Sequence, residues 1–139
     1  MYLFLILPLL FACENNISNS LIIKNEIIGK WSPTYLQSTK NTNGQWSNFE
    51  RINTFVALPD LEFKSDGSFL SAGKPGAACC YAGNKYTIYN NNTLKFSEKA
   101  SCQPNSTCQE CPSWVLEFIS TDSLIIEQCN LRSKFIKIK

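Results

Sequence analysis

The chain has 139 residues, 44% hydrophobic and 17% charged, and its 13 Lys and Arg against 11 Asp and Glu give a formal charge of +2. It contains no histidine, which removes the commonest general base, the commonest zinc and haem ligand, and every Ser-His or Cys-His nucleophile. The charges follow one another without a basic stripe, which argues against nucleic acid as a partner, and without an acidic block that would gather cations.

Residues 1–12 carry no charged side chain and form an apolar run that stops at Cys13. The run is shorter than the roughly 20 residues a membrane-spanning helix needs, so it reads as a cleaved export signal. Its end, Leu10-Phe11-Ala12-Cys13, resembles the lipobox of bacterial lipoproteins. That resemblance implies that Cys13 becomes the mature N-terminus and carries diacylglycerol and a further acyl chain such as palmitate. At about 0.8 kcal/mol per buried methylene, two or three chains hold a protein on a bilayer where one holds it only marginally. The expected location is the bacterial cell envelope, lipid-anchored, at the outer membrane on its periplasmic or surface face. An ordinary secretory peptide cut nearby, or a buried N-terminal strand, are the competing readings of the same run.

Residues 13–26 read as the lipidated N-terminus and a tether, and residues 27–139 as one domain long enough to bury a core. Within the tether, Ser20 is placed to cap a short helix over residues 21–27 that Gly29 would stop. After Trp31 the pattern changes to short segments rich in β-branched and aromatic residues. Leu61-Glu62-Phe63-Lys64 alternates apolar and polar, and Ser65-Asp66-Gly67 supplies a hairpin before Ser68-Phe69-Leu70. Tyr86-Thr87-Ile88-Tyr89 runs through three asparagines into Leu94-Lys95-Phe96. Trp114-Val115-Leu116-Glu117-Phe118 turns at Ser120-Thr121-Asp122 into Leu124-Ile125-Ile126, and Phe135-Ile136-Lys137-Ile138 closes the chain. This is an antiparallel meander with period-two faces, and Leu61, Phe63, Leu94, Phe96, Trp114, Leu116 and Phe118 are expected to point inward.

Strand direction in such a meander sorts its connections. The turns at 65–67, 90–92 and 120–122 fall at one end, and the connections 71–84, 98–112 and 129–133 at the other. Apart from Cys13, the chain's cysteines are Cys79, Cys80, Cys102, Cys108, Cys111 and Cys129, all in or beside those three connections. An even number in an exported chain reads as disulfides. Adjacent Cys79 and Cys80 are expected to reach different partners, and fifteen pairings remain open. The competing readings are a thiolate zinc site of Cys102, Cys108, Cys111 and Cys129, or a redox pair at Cys108-Gln109-Glu110-Cys111.

The ordered features Gly29-Lys30-Trp31, Leu61 to Phe69, Tyr86 to Phe96, Trp114 to Leu124, and Cys129 with Lys134 to Ile138 together resemble the lipocalin-like lipoproteins of Bacteroidetes over about residues 27–138. The resemblance implies an all-β, antiparallel up-and-down barrel of about eight strands, with Trp31 closing one end. Such a barrel is either filled by its own side chains or hollow enough for one small ligand. Trp46, Tyr35 and Phe49, near the first long connection, are candidates for the mouth of an apolar pocket. The expected function is thus a non-catalytic, membrane-anchored module without cofactor or metal that binds a small apolar ligand. The alternative is a structural or protein-interaction module of the envelope; the carboxylates show no evident catalytic pairing.

Overall fold

The computed structural model describes residues 24–90 and 92–139. The expected signal at residues 1–12, Cys13, the tether up to residue 23, and the Ser20 cap lie outside them. One helical turn at residues 24–27 leads into the sheet, the end of the helix expected over residues 21–27.

The strands are β1 (Gly29–Thr39), β2 (Glu50–Arg51), β3 (Leu61–Phe63), β4 (Phe69–Ser71), β5 (Lys74–Pro75), β6 (Gly83–Tyr89), β7 (Thr93–Lys99), β8 (Ser113–Ser120), β9 (Ser123–Gln128) and β10 (Leu131–Ile138). They form one antiparallel sheet in the order β5-β4-β3-β1-β10-β9-β8-β7-β6, with β2 beside β1. The path holds nine strands, close to the about eight expected, with the two-residue β5 at its edge and β2 off it. The first and last long strands join, Lys30 to Pro33 lying opposite Ile138 to Phe135. The sheet curls into a nearly closed barrel whose remaining seam, between β4 and β6, is tacked by a bridge from Ser68 to Lys85. There the Tyr86 amide donates to the Gly67 carbonyl at 2.8 Å and its hydroxyl to the Lys64 carbonyl at 2.8 Å.

Alternation fills the interior. Trp31, Phe63, Phe69, Tyr86, Leu94, Trp114, Leu116, Leu124, Ile126 and Phe135 are buried in one cluster, with Phe96 and Phe118 packed against it. Phe69 stands edge-on to Trp114 at a centroid distance of 5.5 Å. Phe96 meets Trp114 at 4.6 Å, and Phe63 meets Tyr86 at 5.3 Å. Aromatic pairs in these geometries add about 0.5–1.5 kcal/mol each to the burial of their surface. The seven residues expected to face inward all do so, five buried and Phe96 and Phe118 partly buried.

The tight turn between β3 and β4 shows the local chemistry that makes the meander. Gly67 takes a left-handed φ of 81°, and Asp66 accepts from the Ser68 amide at 2.8 Å and from its hydroxyl at 2.9 Å. These bonds hold the Asp66 carboxyl below its ordinary range, with Lys85 and Lys64 adding smaller pulls.

Candidate functional site

Three places in the barrel carry more than packing: the cysteine-bearing end, the end near Trp31, and a break in the wall at Tyr35.

At the first, Cys79 bonds Cys102, Cys80 bonds Cys108 and Cys111 bonds Cys129. Two bridges join the β5–β6 and β7–β8 connections, and the third joins the β7–β8 connection to the β9–β10 turn. Adjacent Cys79 and Cys80 do reach different partners. Because they are neighbours, the sulfurs of Cys79, Cys80 and Cys108 lie within 4.8 Å of one another. That closeness is the juxtaposition of two disulfides, and bonded sulfurs offer no thiolate to a metal. The end is a cap of crosslinked loops.

At the opposite end Trp31 is fully buried. Its indole donates to the Ile27 carbonyl at 2.7 Å, its ring meets Phe118 edge-on at 6.1 Å, and the Lys137 ammonium lies 5.1 Å from its centroid. Trp31 is thus buried and hydrogen-bonded near the end at which the chain joins the barrel.

The wall breaks in the middle of β1. Its ladder with β10 slips between Pro33 and Gln37, where four β1 steps match two on β10. On the other edge, pairing with β3 stops at Trp31 and pairing with β2 begins at Leu36. Tyr35 sits in this irregular stretch with a φ of 62°, a conformation that costs a bulky residue on the order of 1–3 kcal/mol unless the surroundings impose it. Its carbonyl accepts from the Ile52 amide at 2.9 Å, and its hydroxyl accepts from the Leu58 amide at 3.3 Å. Tyr35 thus pins both ends of the 52–58 loop and separates two clefts. One, about 480 Å³, is lined by Tyr35, Arg51, Ile52, Asn53 and Thr54. The other, about 580 Å³, includes Ser32, Pro33, Tyr35, Leu58, Pro59 and Asp60. Asp60 is held below the ordinary carboxylate range by the Ser32 hydroxyl and by Lys30, whose ammonium is 3.1 Å away.

The sequence candidates do not converge on one pocket. Tyr35 lies in β1 at the clefts, while Trp46 and Phe49 lie on the outer wall over β10. Trp46 is bridged to Lys40 and stands between the Lys40 ammonium at 5.1 Å and the Arg132 guanidinium at 4.3 Å. Arg132 is itself tied to Glu127 at 3.0 Å, and Phe49 lies under Lys134 at 4.3 Å. Sequence reading passed over Phe55 and Val56 at the tip of the 52–58 loop, where 110% and 77% of their surface is exposed. The signal was there, in the apolar run Phe55-Val56-Ala57-Leu58-Pro59.

Comparison with family models, curated protein sequences and solved structures found no match to this chain.

Proposed function

We propose that this chain is an envelope lipoprotein, anchored through an acylated Cys13, whose lipocalin-like barrel binds a small apolar ligand in the wall clefts at Tyr35. The observation that carries the ligand reading is Tyr35 itself: a strained aromatic between two clefts, in a barrel whose interior is already occupied by its own rings. Clefts of this size suit small molecules, and an aromatic with a polar tip supplies contact area and orientation together. The reading asks for no catalysis and no cofactor.

The test is calorimetric titration of the mature chain with fatty acids and sterols. A saturable heat in the native chain that is lost in Tyr35→Gly, which relieves the backbone and removes the ring, supports the cleft. Absence of any saturable heat overturns it. The filled interior then favours the alternative, a non-catalytic interaction module using its crosslinked loops.

A further inference from the structure

We propose that the wall around Phe55 and Val56 is seated on the bilayer, with the 52–58 loop tip inserted among the lipids; the proposal rests on the lipid anchor at Cys13.

Apart from Tyr81 and Tyr89, the exposed large apolar side chains among the described residues fall on one part of the barrel. The 52–58 loop runs along the free edge of β1 between the level of Leu36, where β2 ends, and that of Trp31, where β3 begins. On the other side of β1, at the same level, Ile136 lies opposite Ser32 and Ile138 opposite Lys30. Two strands from β10, on β8 beyond β9, Ile119 occupies the irregular step between Phe118 and Ser120. Phe55, Val56, Ile119, Ile136 and Ile138 are all exposed, and they fall on one arc of neighbouring strands. Lys30, Ser32 and Ser123 stand opposite the isoleucines in the register, so the exposed Phe55-Val56 tip is the main apolar feature of the arc and the isoleucines flank it; an exposed apolar tip of this kind marks an interaction site.

The occupant follows from where the chain leaves the barrel and from the charges on this arc. Residues 24–27 emerge at the same end, fixed by the Lys137 ammonium donating to the Glu26 carbonyl at 2.7 Å. Eleven peptide links join Lys24 to Cys13, a reach of at most about 40 Å. A barrel on so short a leash experiences the bilayer at an effective concentration in the millimolar range, so even weak insertion is populated. Two acids on the arc are ion-paired, Asp60 to Lys30 and Asp122 to Lys139, and Glu117, two residues from Ile119 on the same strand, is exposed. The arc thus carries no surplus of basic charge that would call for anionic lipid, and docking is assigned to apolar insertion.

The experiment uses the chain purified with its native processing and reconstituted into phosphatidylcholine vesicles, with mass spectrometry of the N-terminal peptide reporting acylation. Phe55→Trp adds a tryptophan at the tip; Tyr81→Trp adds one at the crosslinked end, where Tyr81 is also exposed. With brominated acyl chains in the bilayer, the emission added by Phe55→Trp is expected to shift to the blue and to fall as the brominated fraction rises. The emission added by Tyr81→Trp is expected to stay unquenched. Both positions are exposed, and an unchanged thermal midpoint confirms that the variants fold. Equal quenching of the two overturns the seating while an acylated peptide leaves the anchor standing; an unacylated Cys13 overturns the anchor itself. Protection of Phe55→Trp from aqueous acrylamide in native envelopes, without quenching by brominated lipid, assigns the wall to a protein partner and overturns the lipid seating.

Discussion

Lys137 lies across Gly29. A Cβ added to Gly29 would stand 2.9 Å from the Lys137 Cε, and Gly29 has a φ of 129°, which an L side chain rarely takes. The glycine two residues before Trp31 thus leaves the passage through which the lysine stem reaches both the Trp31 ring and the Glu26 carbonyl. Gly29→Ala is expected to destabilise the barrel by roughly 1–3 kcal/mol, mainly from the backbone conformation, with a smaller cost for moving the Lys137 stem off its contacts. The thermal midpoint measures it, and Lys137→Ala on that background should restore part of the loss by clearing the neighbour alone.

Trp31 and Trp114 make a matched pair in burial, 0% and 3% exposed, but not in hydrogen bonding. The Trp31 indole has an acceptor, whereas Trp114 Nε1 is buried without one among the described residues, set against Phe69 and Phe96. Replacing either by Phe removes similar volume. Only Trp31→Phe also strands a carbonyl, that of Ile27. Trp31→Phe is therefore expected to cost more than Trp114→Phe by about 1–2 kcal/mol, read as a difference in denaturant midpoints. Equal costs would mean that the Trp31 bond contributes nothing net.

The contrast between legible and hidden parts of the molecule has a physical origin. Leu61 and Phe63, or Trp114, Leu116 and Phe118, alternate within one strand, so their inward faces are written locally. Gathering the cysteines at one end required only counting strand directions. The Tyr35 break could not be read this way, because tyrosine has no preference for positive φ and the slip depends on Ser133 and Phe135, about 100 residues away. For the same reason Trp46 could be proposed as a pocket-mouth aromatic near the first long connection but not as one held between Lys40 and Arg132. Its pairing with Arg132 is a register across β1 and β10, not a motif.

The crosslinks make a prediction that depends on which sulfurs pair. Replacing both Cys111 and Cys129 by Ala should leave no free thiol and lower stability by about 2–4 kcal/mol. Cys79 and Cys80 are too close for peptide mapping to separate easily, so paired variants decide between them. Cys79→Ala with Cys102→Ala should also leave no free thiol under denaturing, non-reducing alkylation. Cys79→Ala with Cys108→Ala should leave Cys80 and Cys102 reactive or force them to re-pair. The reverse pattern would exchange the partners of Cys79 and Cys80.

Tyr86 links the seam of the barrel to pH. Burial, with a smaller contribution from the Asp66 carboxylate, pushes its phenol up to about 12, from an ordinary value of about 10. Between those values the unfolded chain releases a proton that the folded chain keeps. The stability contributed by keeping Tyr86 neutral is thus complete below about pH 10 and is lost as the pH rises toward 12. Tyr86→Phe retains the ring against Phe63 and removes one of the two donors to the Lys64 carbonyl, which keeps the Gly67 amide at 3.0 Å, so it should cost about 0.5–1 kcal/mol at neutral pH. Its stability should then fall less steeply than that of the native chain at alkaline pH. Urea midpoints measured for the two chains from neutral to strongly alkaline pH provide the check: converging curves support a buried, neutral phenol at the seam, and parallel curves would mean that the Tyr86 hydroxyl titrates as it does in water.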